Sequence, residues 1–388
     1  MMYRMPKAET YDVVICGGGP VGLLLGIQLS QKGISNLIVE QRTEINPHSR
    51  SIGIHPPSLR ILENAGLARH FLEAGRKIRR GHAMIHRNQK LGQLSFDLIP
   101  GAYPYLLTMP QNRTEQILEE ALRSEPNAEM IKGVRVTDFE DSGDEVEIRI
   151  DHQGKLRSVT ARFLIGCDGK QSAIRQQSGI STEREDYPFS YTMGDYADDT
   201  GFGDDAVIFI TPEGLVESFP LPEGTRRWVV EAESRYAENG EQDLTELISR
   251  RTGYPPDPGT NTMVSNFGTE WLLSPQFHRN RVVLAGDAAH VVSPIGGQGM
   301  NLGWLDTAML APTLDRILNQ GEPAGPLLKT YTRHRKKRAT EAIKRAEFNM
   351  MLGHKSRFPG MRNLLLKAML KTPVKRILAR RFTMWGLD

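Results

Sequence analysis

The stretch Tyr11–Ser30, YDVVICGGGPVGLLLGIQLS, decides the fold of this chain. Its first six residues form an apolar, β-branched run typical of a buried strand, and its last eight have helical character. Between them, Gly17, Gly19 and Gly22 stand at GxGxxG spacing. A strand, a glycine turn and a helix in this order predict the first half of a βαβ unit, which binds the phosphates of a dinucleotide at the N-terminus of its helix.

The next predicted strand, NLIVEQ, follows Gly33 and completes the βαβ unit. It contains Glu40 about 20 residues after the glycines, where a carboxylate accepts hydrogen bonds from the ribose hydroxyls of an adenosine. A carboxylate at this place disfavours the 2′-phosphate of NADP, so the expected nucleotide is FAD or NAD.

Two further apolar strands end in polar turns, and these turns decide between the two nucleotides. ARFLIGCDG ends at Asp168 and Gly169, and RVVLAGDAAH runs into Gly286 and Asp287. Ligands of open α/β sheets collect at such strand ends, where Asp287 can accept a hydrogen bond from a ribityl hydroxyl. The sequence GGQGMN at 296–301 then offers backbone N–H groups to the negative charge of a reduced flavin ring. A simple dehydrogenase does not need this last element, so the pattern favours FAD.

In the rest of the chain the pattern of apolar and polar residues changes twice. Residues 180–272 alternate apolar with polar residues between Pro and Gly breaks, which predicts an antiparallel sheet, and residues 76–107 look like a shorter piece of it. After Asn301 the sequence is helical, with predicted breaks at Pro312, Pro323, Pro326, Pro359 and Pro373. The predicted fold class is α/β: a doubly wound, Rossmann-like FAD-binding domain (1–75, 106–180 and 273–345), an inserted, mostly antiparallel β-sheet substrate-binding domain (76–105 and 181–272), and C-terminal helices that end in a basic helical tail (346–388).

In their order and separation, the three motifs resemble those of the class A flavoprotein monooxygenases, the family of para-hydroxybenzoate hydroxylase and phenol hydroxylase. The resemblance extends from Tyr11 to about Arg345. It implies an NAD(P)H-dependent enzyme in which NADH or NADPH transiently binds and reduces FAD. Dioxygen then forms a flavin hydroperoxide, whose terminal oxygen hydroxylates or epoxidises an aromatic, polyketide-like or quinone-precursor molecule. No metal is implied.

The family motifs, carried over residue by residue, also imply a site. Pro294, beside the reactive edge of the flavin, and Arg50, which contacts the cofactor, are the expected catalytic positions. The resemblance includes Ser172, Arg175 and His290 in the second and third motifs. The expected cofactor-binding residues are Gly17, Gly19, Pro20, Val21, Gly22, Glu40, Gln41, Arg42, Arg50, Gln111, Arg113, Val134, Asp168, Gly169, Gly286, Asp287, Pro294, Gly297, Gly299, Met300 and Asn301.

The substrate side gives a much weaker signal. Deprotonation of a phenol calls for a Tyr, a His or a chain of hydroxyls, and the predicted substrate sheet holds Tyr191, Tyr196, His82 and His86. Each fits a packing or surface role better, so no substrate base is assigned. Three aromatic residues of the same sheet, which pack in a core or line a pocket, are Phe209, Phe219 and Trp228.

Composition sets the remaining expectations. With 39% hydrophobic residues, no secretory signal and no apolar run of ~20 residues, the chain is expected to be a cytoplasmic protein, a monomer or homodimer. The two cysteines, Cys16 and Cys167, are too few for a disulfide framework or a soft-ligand metal site. They are expected to be buried.

The charge is distributed unevenly along the chain. Residues 329–388 carry 17 Lys or Arg against 3 Asp or Glu, so this region has a charge of +14 and the preceding body one of −11. The tail shows no nucleic-acid-binding motif and resembles the basic amphipathic ends of quinone-pathway hydroxylases. Its apolar face, from Leu364 to Leu370, either packs on the enzyme or makes peripheral contact with a membrane.

Two rival functions share these motifs. A flavin-dependent reductase or oxidase of geranylgeranyl reductase type has the same fold and transfers no oxygen. A non-catalytic FAD-binding protein would keep the nucleotide as a structural element. Intact Asp168, Arg175, Asp287 and Pro294 speak against the second rival.

Overall fold

The computed structural model describes residues 6, 8–47, 51–232, 241–354 and 358–387. Its helices are α1 (Pro20–Ser30), α2 (Pro56–Asn64), α3 (Ala68–Ala74), α4 (Gln111–Leu122), α5 (Ala173–Gln177), α6 (Glu241–Thr252), α7 (Gly299–Leu318), α8 (Ala324–Gly353), α9 (Pro359–Lys371) and α10 (Val374–Phe382). Its strands are β1 (Thr10–Cys16), β2 (Asn36–Glu40), β3 (Gly53–Ile54), β4 (Arg76–Ile78), β5 (Arg80–His86), β6 (Gln89–Ser95), β7 (Leu106–Thr108), β8 (Ala128–Lys132), β9 (Arg135–Asp141), β10 (Val146–His152), β11 (Lys155–Gly166), β12 (Glu183–Ala197), β13 (Ala206–Thr211), β14 (Gly214–Pro220), β15 (Thr225–Ala232), β16 (Met263–Leu273), β17 (His278–Arg279), β18 (Val282–Leu284) and β19 (His290–Val291).

The nucleotide sheet contains the strands that the motifs follow. Its order is β17-β18-β11-β1-β2-β8, and β18, β11, β1, β2 and β8 are parallel to one another. The three turns that carry the motifs therefore leave the same edge of this sheet. Helix α1 is apolar on all sides because it is buried against α4 and α7, and Leu24 and Leu25 are inaccessible to solvent. The predicted doubly wound α/β fold is confirmed.

The second sheet, called here the substrate sheet, has the order β19-β16-β12-β15-β14-β13-β5-β6. Its pairs are antiparallel except β5 with β13, so the predicted mostly antiparallel sheet is confirmed. A small third sheet joins β3, β7 and β4. Strand pairing crosses the predicted domain limits at β4, which pairs with β7, and at β19, which pairs with β16. The division into domains therefore stays a proposal.

Two of the helix breaks predicted for the C-terminal part are wrong. Pro312 lies inside α7 and Pro326 lies in the first turn of α8, and neither ends its helix. Pro326 is tolerated because the first N–H groups of a helix have no intrahelical acceptor. At Pro312 the neighbouring Leu310 and Leu314 are inaccessible to solvent, so tertiary packing holds the helix together. The breaks expected at the other three prolines coincide with the starts of α8, α9 and α10.

Candidate active site

A cavity of about 1110 Å³ lies between the nucleotide sheet and the substrate sheet. It is larger than the ~300–1,000 Å³ typical of small-molecule pockets. One wall consists of the turns that follow β1, β11 and β18, and the other is an apolar face of the substrate sheet that α8, α9 and α10 extend. The predicted site residues that line it are Gly19, Pro20, Val21, Arg42, Gln111, Gly169, Asp287, Pro294, Gly297, Gly299 and Met300.

The glycine turn after β1 needs each glycine for a different reason. Gly17 has a φ of +109°, and a Cβ there would collide with the carbonyl of Cys167. A Cβ on Gly22 would collide with the carbonyl oxygen of Gly17. A Cβ on Gly19 would meet nothing within 4 Å, because Gly19 faces the cavity. The first two are required by the packing of the protein, and Gly19 leaves room for a pyrophosphate at the start of α1.

Glu40 is buried at the end of β2 and holds this turn. Its Oε2 accepts the N–H of Gly18 at 2.7 Å, and its Oε1 accepts the N–H and Nε of Arg42 at 2.7 and 3.0 Å. Burial opposes ionisation, but the hydrogen bonds and charge of Arg42 prevail and lower the pKa of Glu40. Arg42 reaches the cavity, whereas the neighbouring Gln41 is exposed and does not line it.

The helix after β7 places one of two predicted side chains at the cavity. Gln111 lines it and donates Nε2 to Oε1 of Glu115 at 2.8 Å. Arg113 is exposed and donates to Gln116 at 3.3 Å, away from the cavity. Val134 is buried behind the wall, where its N–H donates to the Glu40 carbonyl at 3.1 Å.

The turn after β11 is fastened to the turn after β18. Asp168 Oδ2 accepts the N–H of Ile174 at 3.1 Å, and burial raises the pKa of this carboxyl. Arg175 is buried and donates to the carbonyl of Lys170 at 2.8 Å and to that of Ala288 at 2.9 Å. Arg175 is therefore a positioning residue, since its guanidinium joins two cavity turns.

A buried ionic network supports the turn that carries Asp287. Asp306 accepts the N–H of Gly286 at 2.8 Å, His290 Nε2 contacts the same oxygen at 2.7 Å, and Arg335 Nε donates to the other at 2.7 Å. Burial opposes ionisation of Asp306, but His290 and Arg335 lower its pKa. Asp287 itself is open to the cavity, and its pKa is raised chiefly by desolvation within the enclosing wall.

The turn before α7 completes this wall. Gly297, at a φ of +63°, lines the cavity with Pro294. Asn301 is buried behind it, where its Oδ1 accepts the N–H of His55 and its Nδ2 donates to the carbonyls of Gly53 and Gly297, all at 2.8 Å. Asn301 thus joins the start of α2 to the predicted flavin loop. Arg50, the other expected catalytic residue, lies outside the described residues.

The residues of this wall fit a flavin nucleotide. The side-chain amide of Gln298, in the turn before α7, is buried, and neither of its polar atoms has a hydrogen-bond partner in the described part of the chain. The same holds for Oδ1 of Asp168. Buried polar atoms without partners are costly, so their presence beside an open glycine turn is consistent with a polar ligand.

The opposite wall is mostly apolar. Cavity-facing side chains of the substrate sheet include Met193, Ile208, Ile210, Leu215, Phe219, Val229 and Phe267. Glu217 lies among them in β14 and is only 8% exposed. Desolvation raises the pKa of its carboxyl to about 7.

Most of the Tyr, His, Phe and Trp side chains that the sequence offered for substrate contact lie away from the cavity. Phe209 and Trp228 are packed against α6 on the far face of the sheet, so of the three aromatic residues only Phe219 lines the cavity. Tyr191 and Tyr196 are buried in hydrophobic clusters. His86 is exposed, and the cavity-lining His82 contacts Asp205 at 2.7 Å.

A family model described as an FAD binding domain matches residues 10–346. The chain belongs to this FAD-binding family. The uncharacterized aromatic compound monooxygenase YhjG of Bacillus subtilis (strain 168) is 30% identical over 347 residues, which are 87% of this chain and 68% of the relative. Rifampicin monooxygenase of Rhodococcus hoagii is 31% identical over 385 residues, 96% of this chain and 78% of the relative. The crystal structure of p-nitrophenol 4-monooxygenase PnpA from Pseudomonas putida DLL-E4 has the same fold, with a TM-score of 0.90 at 24% identity over 98% of this chain and 99% of that one.

Membership of the FAD-binding family confirms the resemblance to class A flavoprotein monooxygenases and FAD as the cofactor. This FAD-binding protein is a flavoprotein monooxygenase of the kind that uses NAD(P)H.

Sequence reasoning missed three of its site residues, Asp306, Arg335 and Glu217. Asp306 lies on α7 just beyond the third motif, and Arg335 lies on α8, outside every motif. The third carried a faint signal, as the one acidic residue among the inward positions Leu215, Glu217 and Phe219 of an alternating strand.

Proposed function

We propose that this protein hydroxylates or epoxidises an aromatic or polyketide-like small molecule, using FAD, NAD(P)H and dioxygen. A single observation carries the proposal: one continuous cavity has a dinucleotide cradle on one wall and an apolar sheet face on the other. A flat apolar substrate on that face would lie opposite Pro294 and Gly297. Quinone precursors fit the same description.

When bound, FAD supplies the ring that is reduced by NAD(P)H and activates dioxygen. The chain's own residues would bind and orient this group and keep water away from it. The turn at Gly19 would hold the pyrophosphate, Asp287 would accept a ribityl hydroxyl, and the backbone at Gly297 and Gly299 would face the ring. Arg175, Asn301 and Asp306 would act indirectly, because they fix these turns without lining the cavity.

Isotope incorporation tests the proposal. The FAD-loaded protein is supplied with NADH or NADPH, ¹⁸O₂ and a panel of aromatic compounds, and NAD(P)H oxidation and product mass are recorded. We expect at least one compound to stimulate oxidation and to gain one ¹⁸O atom. Turnover without ¹⁸O would favour a reductase or oxidase, and FAD uptake without stimulated oxidation would favour a non-catalytic flavoprotein.

A second proposal concerns the C-terminal tail, which we infer touches an anionic membrane surface. Leu366 and Leu378 are buried against the enzyme, whereas Met361, Leu364 and Leu365 are 57–69% exposed. Exposed basic residues on the same helices are Lys367, Lys371, Arg376 and Arg380. Apolar side chains among cations fit an anionic lipid surface. Within the described residues, no helix has the length and apolar character to cross a bilayer.

Vesicle sedimentation tests the membrane contact. We expect wild-type protein to sediment with phosphatidylserine vesicles and not with phosphatidylcholine vesicles, and the double variant Leu364→Ser, Leu365→Ser to lose this binding. Leu156→Ser is the matched control, because Leu156 is 70% exposed in β11. Binding that survives the double variant, or fails equally in the control, would contradict the proposal.

A further inference from the structure

Glu217 occupies the middle of the apolar wall. Along β14 its neighbours on the cavity face are Leu215 and Phe219, and across the sheet it is in register with Ile208 on β13 and Val229 on β15. All four are apolar and line the same cavity. A carboxyl group in this position is desolvated on every side that the protein covers.

The other charged or titratable side chains of this sheet that line the cavity all have partners. His82 contacts Asp205, Glu270 accepts a hydrogen bond from Lys170, and Arg227 donates Nε and Nη2 to the carboxylate of Asp195, both at 2.7 Å. Among the described residues, only these three and Glu217 have such groups on that face. For Glu217 the described residues provide no hydrogen bond and no ion pair, although its side chain is more than nine-tenths buried and reaches the cavity.

A buried carboxyl without a partner costs free energy, and a hydrophobic residue would fill the same place without that cost. Sites that give up stability in this way are commonly sites of function. Because Glu217 lines the cavity, a partner for its carboxyl would enter from there.

We propose that Glu217 binds a hydroxyl group of the substrate and accepts its proton, so that the substrate is a phenol or another compound with an acidic hydroxyl. This inference rests on the proposed function and deepens it, because it names the group that the substrate must carry. The substrate O–H bond breaks, the proton forms a new bond to a carboxylate oxygen of Glu217, and the electron pair stays on the substrate oxygen. The carboxylic acid then donates a hydrogen bond to the phenolate. No further reactant is needed.

The surroundings of Glu217 suit a hydroxyl better than a cation. An ammonium group would form a buried ion pair whose desolvation cost offsets its attraction, whereas a phenol enters the apolar wall uncharged. Burial brings the pKa of Glu217 to about 7, where a general base works best at neutral pH. Tyr191 of β12 stays protonated, since burial and the charges of Glu231 and Glu217 raise its pKa.

Matched phenols and methyl ethers test this inference on the FAD-loaded full chain. The probes are 4-nitrophenol, 2-naphthol and 1-hydroxyanthraquinone, each with its O-methyl ether, and binding is read from the flavin absorbance. Ionisation of each phenol is read from its phenolate band. We expect wild-type protein to bind at least one phenol as the phenolate at pH 7, and Glu217→Gln to bind it ~10- to 100-fold more weakly without the phenolate band. Binding of the ethers should not change.

The control variant is Glu213→Gln, which removes an exposed carboxyl from the same hairpin, where Glu213 pairs with Arg250 at 2.8 Å. It should bind every probe as the wild type does, and Glu217→Gln should unfold at the same or a higher temperature. Equal binding of phenols and ethers by the wild type, binding of no phenol, or an unchanged phenolate band in Glu217→Gln would overturn the inference. If one of these results is found but aromatic compounds still stimulate NAD(P)H oxidation, the inference on Glu217 fails and the proposed function stands. If the wild-type protein takes up no FAD, the inference and the proposed function both fail.

Discussion

The two walls of the cavity are built on different principles. The nucleotide wall consists of glycine turns and backbone N–H groups, and a buried network around Asp306 and the guanidinium of Arg175 hold it in place. The substrate wall consists mostly of apolar side chains on a sheet, and the described residues leave one of its carboxyls, that of Glu217, without a partner. The geometry of the chain itself sets the residues of the first wall, whereas the second wall offers an apolar surface to a bound molecule.

The largest expected effect comes from Gly22→Ala in the nucleotide wall. The new Cβ would collide with the backbone carbonyl of Gly17, which cannot move without displacing the turn. We expect a loss of about 4 kcal/mol or more in the free energy of unfolding, or no folded protein. Urea unfolding of the FAD-free protein measures this loss.

Gly19→Ala is the matched control for the same turn. Its Cβ would meet no protein atom within 4 Å, so unfolding should stay as in the wild type while FAD binding weakens. Equal stability of the two variants would show that the glycine turn is not packed as described.

The same contrast explains what could be predicted from sequence. The strands, the glycine turn and the parallel sheet follow from local rules, because only glycine tolerates the close contacts at Gly17 and Gly22. Those rules do not say in which direction a side chain points. Asn301 and Arg113 were therefore expected at the cofactor, but Asn301 lies behind the cavity wall and Arg113 lies away from the cavity. Only a faint local signal marks Glu217, since apolar walls accept many sequences and its role depends on tertiary neighbours.

The next effect in size is expected from Asp306→Asn. This change leaves the buried guanidinium of Arg335 without its carboxylate and removes an acceptor from Gly286 and His290. Breaking a buried ion pair from one side costs about 3–5 kcal/mol, measured by urea unfolding. Glu73→Gln, in an exposed pair with Arg69, should cause no measurable change. Similar losses in both variants would contradict the supporting role of the network.

A smaller and more selective effect is expected from Asp287→Ala. This carboxyl faces the cavity, so its removal should weaken FAD binding by ~10- to 100-fold, the effect of losing one charge-assisted hydrogen bond. Stability of the FAD-free protein should not fall, because the side chain is open to the cavity and desolvation there already disfavours its charged form and raises its pKa. FAD titration followed by fluorescence measures the affinity. Unchanged affinity in a folded variant would remove Asp287 from the flavin site.

The smallest effect probes the substrate wall, through the pH dependence of Glu217→Gln. The folded pKa of Glu217, about 7, lies above its usual value of 4.5, so between these values the folded protein keeps a proton that the unfolded chain releases. The contribution of this group to the free energy of unfolding is therefore fully present below pH 4.5 and is lost as the pH rises to about 7. Glutamine does not titrate, so the free energy of unfolding of the variant should rise relative to that of the wild type by about 1–3 kcal/mol across that interval. Above it, the difference should stay constant. Urea unfolding of the FAD-free proteins from pH 4.5 to 8 measures the difference. Parallel curves would mean that Glu217 has a partner or is solvated, and the two walls would then differ less than the structure indicates.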